Sequence, residues 1–293
     1  MLQKRKGFSC SDELYPSHNT CHALRMALSD DIRQFCKKYA LRINTDLGQH
    51  FLIDEDVLED IVSSGKIQAD DTVVEIGAGI GILTKELLKK AKRVITIELD
   101  KGLVPLLDVY VEEVRTADNL EVVQGNALQI PMPTVPYKII ANIPYHITSP
   151  LLRHAFLESD VRPTSLTLLI QREVAEKICD KDDRSLLGII VAFFGNARIV
   201  RHVPPECFLP PPAVDSSVLH IDCHAEPLTD SATMERVFLM AKVAFSQKRK
   251  MLRNTIPTLP DGETILANAG IDPTRRPQTL SIEEWITLAK ATA

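Results

Sequence analysis

The chain has 293 residues, a formal net charge of −5, and hydrophobic and charged fractions of 45% and 25%. That length allows a full α/β domain followed by a smaller one, and the composition is that of a globular protein. No apolar run approaches the roughly 20 residues that cross a bilayer, and no signal-peptide pattern follows the first residues. We therefore expect a cytoplasmic protein without membrane contact. The negative net charge argues against indiscriminate binding to polyanions.

The cysteines and the N-terminal segment indicate little chemistry. The six cysteines contain no C-x-x-C pair, so we expect reduced thiols and no metal site. Residues 1–30 are mostly polar and aperiodic, and they predict a flexible tail. The Ser and Asp side chains at 29–31 could cap a short helix to about Tyr39, because apolar residues recur there at helical spacing.

A loop rich in hydrogen-bonding side chains precedes the first long amphipathic helix. It contains Gly48, Gln49 and His50, and the helix that follows ends near Gly65. Glycine and polar side chains at such a place indicate a segment that closes over a ligand.

The next segment has the order strand, glycine turn, helix. Residues 72–76 predict the strand, the glycines at 77, 79 and 81 form the turn, and Ile82 begins the helix. Glycines let the backbone approach a ligand because no Cβ intervenes. A dinucleotide-binding fingerprint requires glycine at position 82, where this chain has isoleucine. The turn alone leaves other nucleotide-binding α/β folds open.

Two more strands end in polar residues. Residues 93–97 end at Glu98, about 20 residues beyond the glycine turn, where an acid can accept hydrogen bonds from both hydroxyls of a ribose. A surface acid that merely flanks a strand is the alternative. Residues 120–124 lead to Asn126, whose side chain would meet the adenine of an adenosyl cofactor.

The fourth strand, residues 137–141, is followed at once by Asn-Ile-Pro-Tyr. The Asn142 amide oxygen and the Ile143 carbonyl can accept from both N6 hydrogens of adenine, and Pro144 limits how that carbonyl turns. Acceptors placed in this way would also stabilise positive charge on that nitrogen. Tyr145 then offers a face for stacking. An ordinary capped strand end and turn is the alternative.

Phe208 stands shortly before the prolines at 210–212, which would hold it in a defined place. Its ring could stack on an extruded base opposite Tyr145, at about 1–3 kcal/mol for each stack. The alternative is that Phe208 anchors the hydrophobic core.

Three further strands, at 166–171, 197–202 and 218–221, bring the predicted total to seven. Helices are expected between them, at 151–157, 172–178 and 186–194. After residue 225 the pattern becomes fully helical, with predicted helices at 231–244, 247–254, 263–269 and 282–289. The sequence thus predicts an α/β domain at 31–225 and an all-α domain at 226–293.

Residues 242–253 contain five basic residues and no acid. Lys248, Arg249, Lys250 and Arg253 are the candidate phosphate contacts, since a local basic face on an acidic protein is typical of selective nucleic-acid binding. A solvated helix face is the alternative.

From Asp31 to its last residue the chain resembles the KsgA family of small-subunit ribosomal RNA adenine N6,N6-dimethyltransferases, in its bacterial branch. The matching segments are 37–39, 47–52, 75–79, 142–145, 171–175, 208–218, 245–254 and 276–281. The resemblance implies a Rossmann-like fold with a seven-stranded, mostly parallel sheet and a small C-terminal all-α domain. The implied cofactor is S-adenosylmethionine (SAM). Its implied contacts are His50, Leu52, Gly77, Gly79, Glu98, Asn126 and Asn142.

The resemblance also implies a substrate. Two adjacent adenosines in the 3′-terminal hairpin loop of small-subunit rRNA would each receive two methyl groups, with a role in small-subunit biogenesis. The implied partners are this rRNA and the immature small subunit, and the protein would be a monomer.

Two departures from the family pattern affect this reading. The family usually has Asp where this chain has Asn126, and loss of that charge predicts weaker cofactor binding with function retained. The basic residues that usually precede Leu-Gly-Gln are replaced by Asn-Thr-Asp at 44–46, which predicts weaker RNA contact there. A ribosome-assembly factor without catalysis, and an adenine methylase acting on large-subunit rRNA, remain as alternatives.

Overall fold

A computed structural model describes residues 18–116, 118–247 and 249–291, with side chains from residue 28 onward. Seven strands form the central sheet of this part of the chain, and two short strands pair beside it. In chain order the strands are β1 (Phe51–Leu52), β2 (Thr72–Ile76), β3 (Arg93–Glu98), β4 (Leu120–Gln124), β5 (Lys138–Asn142), β6 (Ser165–Gln171), β7 (Gly195–Val203), β8 (Phe208–Leu209) and β9 (Ser216–Cys223).

The helices of the described residues follow in the same order. They are α1 (His18–Lys38), α2 (Glu55–Ser64), α3 (Ile82–Leu88), α4 (Val104–Tyr110), α5 (Thr148–Arg153), α6 (Arg172–Cys179), α7 (Leu186–Phe194), α8 (Ser231–Phe245), α9 (Gly262–Asn268) and α10 (Ile282–Lys290). Side-chain caps fix several of their starts. Asp54 accepts from the Val57 N–H at the start of α2, and Ser281 and Glu284 form a capping box on α10.

The sheet order is β4-β3-β2-β5-β6-β9-β7. Neighbouring strands are parallel except where β9 pairs with β6 and β7, so β9 alone in this sheet runs against the other strands. Val73 and Val74 belong to separate hydrophobic clusters because successive side chains of a strand point to opposite faces. Helices therefore cover both faces, as parallel sheets require. The predicted seven-stranded, mostly parallel α/β fold is confirmed.

The strand order reverses direction at β2, which has β3 at one edge and β5 at the other. At such a reversal the carboxyl ends of the strands leave a crevice, which is where open α/β sheets hold ligands. The glycine turn after β2, Glu98 at the end of β3 and Asn142 at the end of β5 all lie at this edge.

The first helix differs from the prediction. α1 spans His18–Lys38, so residues 18–30, where the sequence predicts a flexible tail, are helical. No glycine or proline interrupts the chain between His18 and Lys38, and the Ser and Asp side chains at 29–31 lie inside the helix instead of capping it. The part of the predicted tail at 1–17 lies outside the described residues.

The predicted helix at 247–254 is wrong. α8 ends at Phe245, and only a single 3₁₀ turn, Leu252–Asn254, forms in this stretch of the described chain. The backbone N–H groups of Leu252 and Arg253 donate to the carbonyls of Arg275 (2.8 Å) and Pro273 (2.9 Å). Another segment therefore takes the donors that an α-helix would use internally.

The helical C-terminal segment packs against the sheet domain. The Phe193 ring on α7 meets the Phe238 ring on α8 edge-on at 5.5 Å, and buried side chains of both parts belong to one hydrophobic cluster. The last sheet strand ends at Cys223 and α8 begins at Ser231. The division of the chain near residue 225 stays a prediction.

The described residues lack two features. None of their helices has the length and apolar character that crossing a bilayer takes. Their His, Cys, Asp and Glu side chains form no group of three or more that could hold a metal ion.

Candidate active site

A cavity of about 500 Å³ opens at the carboxyl ends of β2, β3 and β5. This volume lies within the range of about 300–1,000 Å³ that is typical of small-molecule sites. The segment after α1, the glycine turn, the Asn-Ile-Pro-Tyr segment and the residues after β8 all contribute to its wall. Among the predicted site residues, the wall includes His50, Leu52, Gly77, Gly79, Glu98, Asn142, Ile143 and Tyr145.

The glycine turn and the acid at the end of β3 are joined directly. The Gly79 N–H donates to Glu98 Oε2 at 2.8 Å, and the Asp100 N–H donates to Glu98 Oε1 at 2.8 Å. Gly79 has a φ of +60°, and a Cβ on it would lie 3.0 Å from the Phe51 ring. Only glycine therefore suits this position without strain. Burial raises the pKa of Glu98, against the opposing effect of these two backbone donors.

Asn142 is oriented by its neighbour across the cavity. Its Nδ2 donates to the His50 carbonyl at 3.2 Å. Because a carbonyl oxygen can only accept, the atom beside it must be the amide nitrogen. The side-chain oxygen of Asn142 is therefore the atom that can accept from a substrate amine.

Two rings of the cavity wall lie nearly parallel. The centroids of the His50 and Tyr145 rings are 6.5 Å apart, with planes inclined by 10°. Each ring is held at its edge: His50 Nδ1 lies 2.7 Å from the Pro210 carbonyl, and the Tyr145 hydroxyl lies 2.7 Å from Ser216 Oγ. Since the Pro210 carbonyl only accepts, Nδ1 of His50 carries the proton. Flat rings held in this way can present a face to a nucleobase.

Residues 44–50, here called the closing segment, cover one side of the cavity. Thr45, Gly48 and His50 of this segment line it. Gly48 has a φ of +75° and packs so closely that a Cβ on it would lie 2.9 Å from Pro144 Cβ. The pairing of β1 with β8, through Phe51 with Leu209 and Leu52 with Phe208, fixes the chain just beyond it. No pattern in the sequence predicted this pairing.

The wall residues fit an adenosyl cofactor. Glu98 is 6% exposed, and a carboxylate has about four acceptor sites, so two remain for a ribose diol after the two backbone donors. Gly77 and Gly79 bring backbone without side chains to the same wall. SAM, which the sequence resemblance implies, therefore has a matching donor and acceptor set here.

Two predicted site residues lie elsewhere. Asn126 is exposed and absent from the cavity wall among the described residues; its Oδ1 accepts from the Leu128 N–H at 3.0 Å. Phe208 is 1% exposed and packs in the core, also outside that wall, so the structure favours the core anchor over the stacking ring. The contact of Asn126 with adenine stays a prediction.

The candidate phosphate contacts lie on the surface. Arg249, Lys250 and Arg253 are exposed, on the turns between α8 and α9. Lys248 lies outside the described residues. None of the three described side chains is part of the cavity wall, and their role as phosphate contacts stays a prediction.

Several residues of the cavity wall were not predicted from the sequence, including Glu75, Gln171 and Val214. Glu75 is 1% exposed, and burial raises its pKa to about 7, while hydrogen bonds from Thr84 and Thr96 oppose the shift. A charged residue inside an otherwise apolar strand was a usable signal for Glu75. Gln171 and Val214 had no comparable signal. Gln171 ends β6 and Val214 lies two residues before β9, and only the order of these strands in the sheet brings both positions to the cavity.

Comparisons with known proteins agree with this geometry. The family model of "Ribosomal RNA adenine dimethylase" matches residues 40–293. "Ribosomal RNA small subunit methyltransferase A" from Clostridium botulinum is 39% identical over 266 residues, covering 86% of this chain and 95% of the relative. The protein of the same name from Dehalococcoides mccartyi is 37% identical over 270 residues, covering 88% and 91%.

Two solved structures are also similar. A dimethyladenosine transferase from Plasmodium falciparum has a TM-score of 0.71 and 26% identity, over 82% of this chain and 96% of that one. The 23S rRNA methyltransferase ErmE has a TM-score of 0.68 and 26% identity, over 82% and 98%. The match of the family model and the identity to curated relatives cover most of the chain. The chain therefore belongs to the ribosomal RNA adenine dimethylase family, whose activity is SAM-dependent adenine dimethylation.

Proposed function

We propose that the protein transfers methyl groups from SAM to N6 of two adjacent adenosines in the 3′-terminal hairpin loop of small-subunit rRNA, two groups to each. The observation that carries the proposal is the orientation of Asn142. Its amide nitrogen is engaged by the His50 carbonyl, so its oxygen is available, at the end of β5, to a base amine in the cavity.

The chemistry of the acceptor explains why oxygen atoms are needed there. The lone pair of adenine N6 is delocalised into the ring, so methylation develops positive charge on a nitrogen that must become pyramidal. The Asn142 side-chain oxygen and the Ile143 carbonyl would accept from the two N–H groups and stabilise that charge. Bound SAM supplies a methyl group on a sulfonium leaving group, so no metal is required. One proton passes from N6 to solvent with each transfer, so a single N–H remains as the donor for the second transfer.

Tyr145 would hold the extruded base. Its ring lines the cavity, and its hydroxyl is fixed at 2.7 Å from the buried Ser216, which limits rotation of the ring. Stacking on such a ring is worth about 1–3 kcal/mol per base. The base is therefore positioned before transfer, which supplies part of the rate through alignment.

The choice of small-subunit rRNA rests on the curated relatives, which are named for that subunit and cover most of the chain. A second candidate, an adenine of large-subunit rRNA, is favoured by the likeness to the 23S rRNA methyltransferase ErmE. That likeness has lower identity than the curated relatives have. We therefore place it second.

The alternative of an assembly factor without catalysis loses its main support. It rested on Asn126, whose side-chain oxygen here accepts a backbone N–H that an aspartate would accept equally well. Glu98, Asn142 and Tyr145 all line the cavity. We propose the immature small subunit as the partner, a monomer as the working unit, and the cytoplasm as the location.

The test uses the full-length protein with radiolabelled SAM and small subunits that lack adenine dimethylation. We expect label in the small-subunit rRNA, and mass spectrometry of the rRNA should show two dimethylated adenosines in the 3′-terminal hairpin. Large-subunit rRNA from the same cells is the matched substrate control. Label in large-subunit rRNA alone would support the second candidate, and label in neither would support the assembly factor.

A further inference from the structure

A chain of hydrogen bonds joins the closing segment to the acid at the end of β3. Gln49 Nε2 donates to Asp100 Oδ2 at 2.8 Å, and Gln49 Oε1 accepts from the Asn44 N–H at 2.7 Å. The backbone N–H of Asp100 in turn donates to Glu98 Oε1 at 2.8 Å. Gln49 and Asp100 come from segments 51 residues apart, so this contact exists only in the folded chain.

The carboxylate of Asp100 is itself held in place. Its Oδ1 accepts from the Gly102 N–H at 2.9 Å, which leaves Oδ2 directed at Gln49. The second oxygen of Glu98 accepts from the Gly79 N–H at 2.8 Å. The network thus runs from the closing segment through Asp100 and Glu98 to the glycine turn.

The closing segment has few other supports at its outer end. Residues 44–47 are exposed, and Thr45 and Gly48 line the cavity. Its inner end is fixed at His50, whose carbonyl and ring contact Asn142 and Pro210. The side chain of Gln49 ties the outer end to the sheet.

We propose that Gln49 and Asp100 are positioning residues for the methyl donor. Their hydrogen bond holds the closing segment over the bound donor, and the Asp100 N–H sets the orientation of Glu98 toward the ribose. Neither side chain is part of the cavity wall among the described residues, so both act through Thr45, Gly48 and Glu98. This inference rests on SAM as the donor and does not depend on which rRNA is methylated.

Exchanging the polarity of the pair provides a direct test. Gln49→Glu places two carboxylates next to each other, which repel. Asp100→Asn keeps an oxygen that can accept from the Gly102 N–H, but its amide nitrogen can then face Gln49 Nε2, and two donors form no hydrogen bond. The double variant restores a donor and an acceptor with their roles reversed. Affinity for S-adenosylhomocysteine, the unreactive product, is measured by calorimetry on the full chain without RNA.

We expect each single variant to bind S-adenosylhomocysteine about tenfold more weakly, because a hydrogen bond to a charged group is removed. The double variant should return to within about threefold of the unmodified protein. Gln49→Leu, which makes no hydrogen bond, should release the product faster without a comparable decrease in association rate. The KM for SAM should rise in the single variants, with kcat and RNA affinity nearly unchanged.

The controls make the same chemical changes at exposed positions, Gln129→Glu and Asp70→Asn, and should leave binding unchanged. Thermal midpoints without ligand show whether each variant is folded. Single variants that bind normally, or losses that multiply in a folded double variant, would overturn the proposal. Failure of the unmodified protein to methylate small subunits would contradict the proposed function and leave this binding result intact.

Discussion

At the scale of single residues, a backbone carbonyl decides how the Asn142 amide in the cavity wall is oriented. The His50 carbonyl accepts from the Asn142 amide nitrogen, which leaves the amide oxygen as the acceptor of this side chain at the cavity wall. The same histidine is held through Nδ1 by the Pro210 carbonyl, so its own position is fixed from the far side of the cavity. The orientation of Asn142 thus depends on residues distant in sequence.

The first prediction concerns Asn142→Ala. We expect methyl transfer to fall by at least about a hundredfold, because an acceptor aimed at developing charge is removed. RNA affinity should stay within a few fold, since the candidate phosphate contacts Arg249, Lys250 and Arg253 lie outside the cavity wall. Single-turnover methylation and filter binding measure the two quantities, with Asn268→Ala, at an exposed position, as control. Equal loss of both would instead point to a structural role for Asn142.

The burial of Glu75 makes the free energy of unfolding depend on pH. Its Oε2 accepts from the Thr84 and Thr96 hydroxyls at 2.6 Å and 3.1 Å. Burial raises its pKa from 4.5 to about 7 in spite of these donors. A folded-state pKa above the unfolded one means that the group favours folding fully below about pH 4.5, and that this contribution is lost as the pH rises through about 7.

The second prediction follows for Glu75→Gln, which stays neutral at every pH. Relative to the unmodified protein, its free energy of unfolding should rise by roughly 2 kcal/mol from about pH 5 to about pH 8. Urea unfolding at the two pH values measures this. Glu263→Gln, at an exposed position, should show no such change. A difference for Glu75→Gln that is constant across pH would contradict the assignment.

At the scale of elements, the segment after α8 shows how tertiary contacts replace helix with turns. Leu252 is fully buried, and its N–H and that of Arg253 bond to the 273–275 loop. The exposed Arg249, Lys250 and Arg253 therefore lie on an irregular surface rather than along a helix face. Such a surface suits a folded RNA, which is recognised by shape and by its phosphates.

The third prediction is a change in salt dependence. Replacing Arg249, Lys250 and Arg253 by Gln should lower the slope of log affinity for small-subunit RNA against log salt by about 2, since each phosphate that is no longer neutralised accounts for roughly 0.7 of the slope. Replacing Lys89, Lys90 and Lys92 by Gln removes the same charge from another exposed surface and should change the slope little. Equal changes in both variants would exclude the assignment of these phosphate-binding residues.

At the scale of the whole molecule, the sheet domain and the C-terminal helices share a hydrophobic cluster. It includes Ile139 of β5, Phe193 of α7, and Val237 and Trp285 of the C-terminal helices. The Arg184 N–H also donates to the Gln278 carbonyl at 3.0 Å across the two parts. Separating the parts would expose this apolar surface, so we expect them to unfold together.

The fourth prediction uses the single tryptophan of the chain, Trp285 in α10, which is fully buried and packs near Phe245. Its fluorescence reports on the C-terminal helices, whereas far-UV circular dichroism reports on the whole chain. The two unfolding midpoints in urea should coincide. A fluorescence midpoint at clearly lower urea would show that the C-terminal helices unfold independently.

The sequence by itself determined the order along the chain of the seven strands of the central sheet and the residue types at the strand ends. Buried parallel strands are nearly continuous apolar runs, so β2, β5 and β6 were readable, and local chemistry marked the glycine turn, Glu98 and Asn142. These signals depend on neighbours along the chain. The folded protein keeps the predicted strands and turns because its local residue preferences agree with the global fold.

Only the tertiary structure decided which of these groups meet and how they are turned. The hydrogen bonds of Gln49 with Asp100 and of Asn142 with the His50 carbonyl join segments distant in sequence. Phe208 is buried where β8 pairs with the distant β1. The absence of the predicted helix at 247–254 has the same origin within the described residues, because the 273–275 loop takes its backbone donors. Contacts of this kind are set by packing, which no local pattern of residues encodes.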